Sequence, residues 1–209
     1  LVDSDAQMRQ LSWNTFFASA MAILFLFFAV QSGIVSLFEE RRQGTLARML
    51  AGPIRPEAIL SGKALGSFVT GVLSLTVLAV ASTLMLGADW GPPAGVALVV
   101  VAAVLAAIGI TLLVTSFMKT ADGASAANSA VAMTLGILGG TFSPSAQAPE
   151  AMQTLSLVTP HAWFLRGLAE MQGGGTIADA LPSVGVLLAV AGVTGAIGFA
   201  RARRLVAPR

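Results

Sequence analysis

Few residues in this chain have the side chains and spacing that catalysis requires. The chain has one histidine, His161, and no cysteine, so neither a multi-histidine metal centre nor a thiolate site can form. The string nearest to a phosphate-binding loop is Gly62-Lys63-Ala64, with Glu57 where the first glycine of that loop should be. We therefore expect a chain that is not an enzyme and that binds no nucleotide, cofactor or metal ion itself.

The charged residues are concentrated in one segment, residues 39–63. This segment holds eight of the chain's twenty-two charged residues, and a long uncharged stretch lies on either side of it. Charged side chains are costly in the hydrocarbon of a membrane, so the segment must lie in water. It is the best candidate for the place where another protein acts on this one.

The elements that position this segment are predicted to be membrane spans. The chain is 56% hydrophobic and only 11% charged, whereas soluble domains carry about 25% charged residues. A transmembrane helix needs about 20 apolar residues. We predict an all-α, polytopic bundle that forms one domain over residues 1–209. Its spans are residues 12–38, 64–87, 93–118, 123–142 and 178–200, with an inner loop at 39–63 and an outer segment at 143–172.

The basic residues predict the orientation, because cytoplasmic loops are enriched in Lys and Arg. Ten of the twelve basic residues fall on one predicted side: Arg41, Arg42, Arg48, Arg55, Lys63, Lys119, Arg201, Arg203, Arg204 and Arg209. We expect an integral protein of a bacterial cell membrane with its N-terminus outside and its C-terminus in the cytoplasm. A net charge of +2 does not indicate nucleic-acid binding, and membrane lipids are the expected surroundings.

Polar residues within the spans have two interpretations. The fourth span is the most polar, and Gln31 interrupts the first one near its inner end. Small and polar residues in a span usually face other helices, and the alternative is that they line a substrate path. The possible path-lining residues are Gln31, Ser125, Asn128, Ser129 and Thr134.

The uncharged stretch of the outer segment, residues 151–165, is too short and too polar to cross the membrane, and the segment contains Pro144, Pro149 and Pro160. Pro160 should divide it into two short helical pieces. These pieces either dip into the outer leaflet and return, or they form an ordinary interfacial loop. His161 is expected to make interfacial hydrogen bonds.

The inner loop should contain a short amphipathic helix. Leu46, Met49 and Leu50 share one helical face, and Gly52-Pro53 ends the helix. Such a helix can lie on the lipid surface, or it can dock on a cytoplasmic partner.

Three segments, taken in order, resemble the ABC-2-type transporter permeases. The first is Glu40-Arg41-Arg42-Gln43-Gly44-Thr45-Leu46, followed by Leu50 and Pro53, which is similar to the family's E-x-x-x-G-T-L motif. The second is Ile59-Leu60-Ser61-Gly62-Lys63, at the start of the next span. The third combines residues 139–149 with residues 159–168, which resemble the proline-rich outer region before the family's last span.

The resemblance implies the membrane subunit of an ATP-driven exporter, with five of the family's six spans in this chain. Its partners would be a nucleotide-binding ATPase, which holds ATP and magnesium, and a second permease unit. The residues that the resemblance assigns to ATPase coupling are Glu40, Arg41, Arg42, Gly44, Thr45, Leu46, Met49 and Leu50. Leu46, Met49 and Leu50 would form an apolar knob for the partner, and Thr45 would cap their helix. The residues assigned to an outer re-entrant gate are Phe142, Pro144, Pro160, Trp163 and Arg166.

The chain departs from the family pattern at Ala47, where members often carry an acid. The absence of a first span is expected if this chain is part of a longer protein. Two other functions stay open at this point: a secondary carrier driven by an ion gradient, and a membrane anchor that transports nothing. The centres of the predicted spans lack charged residues, which argues against the carrier.

Overall fold

The computed structural model describes residues 11–142, 149–172 and 175–206, with side chains up to Arg203. These residues form helices and no strands, as the composition predicts. In chain order the helices are α1 (Trp13–Arg42), α2 (Thr45–Leu50), α3 (Pro56–Leu86), α4 (Pro93–Thr115), α5 (Ala121–Leu138), α6 (Glu150–Ser156), α7 (Pro160–Glu170) and α8 (Leu181–Val206). A 3₁₀ turn, Ile177–Ala180, leads into α8.

Four of the described helical segments are long and apolar enough to cross a membrane: Trp13–Arg42, Pro56–Leu86, Pro93–Thr115 and Ile177–Arg203. Helices α1 and α3 continue into the predicted inner loop, so the connection between them is shorter than residues 39–63. At 30 and 31 residues they are each about 45 Å long, and the hydrocarbon core is about 30 Å thick. Their charged ends therefore extend beyond the hydrocarbon without breaking the helix.

The segment predicted as the fourth span differs from the others. It forms the helix α5, whose 18 residues are about 27 Å long. Asp122 and Asn128 lie within it, together with several small residues. Because α5 is short and polar, it is not among the four spans identified by length and composition, and the predicted span count is one higher than that number.

The core lies where α1, α3, α4 and α8 pack together. Helix α4 is buried on most sides, whereas α3 and α8 expose long apolar faces. Gly71 of α3 lies at the crossing with α1 and α4. A Cβ atom there would meet Val104 Cγ1 at 2.9 Å and Val30 Cγ1 at 3.0 Å. The lack of a side chain at Gly71 thus lets three helices approach closely.

Contacts at the two ends of the bundle fix the chain's topology. At one end, Asn14 donates to the carbonyl of Leu86 (2.8 Å) and the amide of Asp89 donates to Thr15 Oγ1 (2.9 Å). At the other end, Arg203 of α8 pairs with Glu57 of α3. We call the second end the basic end, because it carries α2 and the charged helix termini. The start of α1 and the end of α8 lie at opposite ends, and which end faces the cytoplasm stays a prediction from the charges.

Candidate functional site

The loop at the basic end turns sharply at Gly44. This glycine has φ +74°, the left-handed conformation that residues with a Cβ atom rarely adopt. It occupies the N-cap position of α2 and makes no side-chain hydrogen bond there. The prediction that Thr45 caps this helix was wrong, because Thr45 is already the first helical residue.

The apolar face of α2 packs against the chain's own core. Leu46 is buried, with an exposed fraction of 4%, and Met49 and Leu50 are half-buried against the same cluster. Leu46 is therefore not an exposed knob for a partner. Periodicity correctly predicted the face, but it does not show what covers that face.

The exposed face of the same loop is basic. Arg41, Arg42 and Arg48 are all exposed. Arg42 forms an ion pair with Glu39 within one helical turn (2.9 Å), and Gln43 donates to the same carboxylate (2.7 Å). The arginines therefore lie on the accessible surface of this end, whereas Leu46 does not.

Glu40 joins α1 to α3. Its carboxylate forms an ion pair with Lys63 of α3, and the same ammonium donates to Ser36 Oγ of α1 at 2.8 Å. The Glu40 and Lys63 side chains are 26% and 22% exposed, so water screens the pair only partly. Two of the motifs noted in the sequence, around Glu40 and around Lys63, thus contact each other directly.

Two further contacts at the basic end involve α8. Arg203 pairs with Glu57, one residue after the start of α3, and the Arg201 guanidinium lies 3.9 Å from the centre of the Phe117 ring. No sequence pattern predicted these pairs. Their members are far apart in the chain, so no spacing links them.

The outer segment folds into the two short helices α6 and α7, and Pro160 is the first residue of α7. His161 stacks on Phe27 with ring centres 4.8 Å apart, and Phe27 is the fifteenth of the thirty residues of α1. Beyond the other end of α7, Gln172 donates to the carbonyl of Asp89 at 3.0 Å. Helix α7 therefore runs from the middle of the bundle to the end opposite the basic end, as the re-entrant arrangement predicts.

His161 does not make the interfacial hydrogen bonds that we expected. Its side chain is fully buried, and neither ring nitrogen has a hydrogen-bond partner among the described residues. Because no carboxylate among the described residues bonds to it, the buried imidazole is neutral, since desolvation disfavours the charged form. The prediction was wrong because the sequence does not show how deeply the start of α7 lies in the bundle.

Other contacts hold α7 in place. Trp163 Nε1 donates to the carbonyl of Leu157 (2.7 Å), and the Arg166 guanidinium lies 5.3 Å from the centre of the Trp163 ring. Arg166 pairs with Glu170 (2.8 Å), which also accepts a hydrogen bond from Ser183 of α8 (2.9 Å). Of the other predicted gate residues, Pro160 is buried, Phe142 is exposed, and Pro144 lies outside the described residues.

Comparison with known proteins decides the family. A family model for ABC-2 family transporter proteins matches residues 2–200. The chain belongs to the ABC-2 family of transporter proteins. It is similar to the linearmycin resistance permease protein LnrN of Bacillus subtilis strain 168, with 27% identity over 183 residues. The alignment covers 87% of this chain and 48% of the relative, so the chain spans about half the length of the curated relative it matches.

The resemblance read from three motifs is thus confirmed: this is the membrane part of an ABC-2 transporter. Of the predicted path-lining residues of this permease, Ser125, Asn128 and Ser129 share one face of α5. Asn128 is buried and donates to Thr115 Oγ1 of α4 (2.9 Å) and to the carbonyl of Ala124 (2.9 Å). Thr134 is exposed, and Ser125 and Ser129 are half-buried. Asn128 thus joins α5 to α4, and the lining of a substrate path by these residues stays a prediction.

Gln31 lies apart from this group, in α1, and its Oε1 atom is buried without a hydrogen-bond partner among the described residues. A small apolar cavity of this permease lies near the basic end, with Ile34, Leu60 and Leu112 among its lining residues. None of the predicted path-lining residues borders it. Among the described residues, no group of three or more His, Asp or Glu side chains is placed to hold a metal ion.

Proposed function

We propose that this chain is the permease subunit of an ATP-driven exporter and that a nucleotide-binding ATPase acts on it through the loop at the basic end. ATP and magnesium bind to the ATPase, and two permease units enclose the substrate path. The chain itself hydrolyses nothing. The basic end then faces the cytoplasm, in agreement with the enrichment of Lys and Arg in cytoplasmic loops.

One observation carries this proposal: the apolar face of α2 fixes the loop at the basic end to the bundle, and arginines at the end of α1 and on α2 are exposed. Leu46 is buried in the core, whereas Arg41 and Arg48 point away from it into solvent. A helix that only lies on lipid would place its apolar face in the lipid and not in its own protein. A surface of this charge fits an acidic groove on a partner, because complementary charges steer association and set its register.

The contacts around α2 support a mechanical role. A force on the loop reaches α1 and α3 together, since Glu40 and Lys63 join the two helices. It reaches α8 through Glu57 and Arg203. We infer that the loop moves α1 and α3 together when the ATPase changes its conformation.

The outer segment supplies the exit gate in this proposal. Helices α6 and α7 lie at the end opposite the loop and reach the middle of α1 through His161. Outward transport is supported by the related protein, which is named a resistance permease.

Co-purification tests the docking surface. We expect the double variant Arg41→Glu plus Arg48→Glu to lose most of its association with the ATPase encoded next to this chain, because both changes reverse the charge of the exposed face. The variant Lys119→Glu is the matched control: Lys119 is also exposed, but it lies in the loop between α4 and α5.

The measurement is the amount of ATPase retained on the tagged, full-length permease at two salt concentrations. Retention should fall with salt for the wild type and be low at both concentrations for the double variant. Equal retention by the wild type and the double variant would show that the partner does not bind at this face.

A further inference from the structure

His161 fills a space in the bundle, which we call its seat, that fits its side chain. None of the described residues offers its ring nitrogens a hydrogen bond there. Gly136 and Gly139, at the end of α5, leave space for the His161 side chain, because a Cβ atom on Gly139 would lie 2.5 Å from the His161 Cβ atom. Phe27 covers one face of the ring. A neutral imidazole has one N–H donor and one acceptor nitrogen, and both are unsatisfied among the described residues.

Two neighbouring hydroxyl groups do not supply the missing hydrogen bonds of the imidazole. Thr141 lies beside Gly136 and Thr159 beside Gly139, the two glycines that adjoin His161. However, Thr141 already donates its proton to the carbonyl of Gly136 (2.9 Å), and Thr159 donates its proton to the carbonyl of Ser156 (2.8 Å). Neither hydroxyl therefore has a proton left for the acceptor nitrogen of the imidazole.

The unsatisfied nitrogens of His161 favour movement of α7 out of its docked position. An unsatisfied buried donor or acceptor loses its hydrogen bonds to water, and the loss is recovered only when the group returns to water. An apolar residue of similar size would fill the seat without that loss. A group that is unfavourable in only one of two conformations shifts the equilibrium toward the other.

We propose that His161 lowers the stability of the docked outer segment, α6 with α7, so that the segment undocks more readily than it would with an apolar residue at this position. Stacking on Phe27 and the close fit at Gly139 hold the segment in place. The burial of Phe164 and Leu168 in the core also holds it there. The two unsatisfied nitrogens favour its release. The importance of this undocking for transport rests on the proposed exit gate. The undocking itself is measured without a transport assay.

The test is the rate at which a buried cysteine reacts. The chain has no cysteine of its own, so Ser156→Cys in α6 places a single thiol at a position that is 4% exposed. A water-soluble maleimide then modifies it when the segment undocks. Val158→Cys is the matched control in the same segment, because Val158 is 75% exposed and should react at once in every background.

Two variants of similar shape separate polarity from packing. His161→Gln keeps a donor and an acceptor in the seat, whereas His161→Met keeps the length and removes both. In the Ser156→Cys background, we expect the thiol of the methionine variant to be labelled at least about tenfold more slowly than that of the glutamine variant, because the methionine lacks the unsatisfied groups. His161→Leu is a second apolar variant in case methionine does not fold, as judged by size-exclusion chromatography.

Equal labelling of the apolar and polar variants, or faster labelling of the apolar ones, would overturn the proposal. A transport assay on the same variants keeps the two ideas apart. If the apolar variants are labelled more slowly than the glutamine variant but transport normally, the result would support the role of His161 and contradict the exit gate. Slow labelling with slow transport supports both.

Discussion

At the scale of single residues, Gly44 is a position where the backbone conformation requires glycine. Its left-handed conformation costs a residue with a Cβ atom about 1–2 kcal/mol. No atom lies within 4 Å of a Cβ placed there, so the cost comes from the backbone alone. We therefore expect Gly44→Ala to weaken α2 without a steric clash.

Gly62→Ala is the control for this change. Gly62 lies within α3, has no positive φ, and also has open space around a new Cβ atom. Alanine there should stabilise the helix by up to about 1 kcal/mol. Thermal unfolding of the detergent-solubilised variants measures both effects, and a Gly44→Ala protein as stable as Gly62→Ala would contradict the assignment.

At the scale of elements, the contact of Glu40 with Lys63 determines how α1 sits beside α3. We expect Glu40→Lys to destabilise the protein, since it places two ammonium groups together at a half-buried position. The exchange Glu40→Lys with Lys63→Glu should recover part of the loss. The double-mutant cycle should give a coupling energy of about 1 kcal/mol.

The pair of Glu39 with Arg42 is the comparison for that cycle. It lies on one helix and is exposed to water, so its exchange should change stability too little to measure. Equal coupling in the two pairs would mean that Glu40 and Lys63 do not hold the helices together.

The helical elements were largely predictable from the sequence, whereas the contacts that they make were not. Runs of apolar residues predicted α1, α3, α4 and α8, and Pro160 predicted the break between α6 and α7. The apolar face of α2 was also visible. The sequence did not show that Leu46 turns inward, because an apolar face does not reveal what covers it. It did not show that His161 is buried, because its neighbours lie on helices far away in the chain.

At the scale of the whole molecule, the bundle depends on the crossing at Gly71. A Cβ there meets Val104, Val30 and Leu26, which belong to two other helices. We expect Gly71→Val to destabilise the protein by about 1–3 kcal/mol, since overpacking forces the helices apart.

Gly185→Val tests whether this effect is specific to the crossing. Gly185 lies on the exposed face of α8, and no atom would meet a new Cβ atom there. The midpoint of thermal unfolding should fall for the first variant and hardly change for the second. Equal midpoints would show that α3 is free to move away from α1 and α4.

The double contact of Lys63 restricts how the transporter can move. Ser36 and Glu40 are four residues apart on one face of α1, and one ammonium group binds both. If α1 slid along α3 by one helical turn, about 5.4 Å, both bonds would break together. The pair can tilt or swing as a rigid body, but a shear between its two helices is disfavoured. Helices α4 and α8 also pack against each other. Conformational change is then directed to the contact between the α1–α3 pair and the α4–α8 pair, which would act as a hinge.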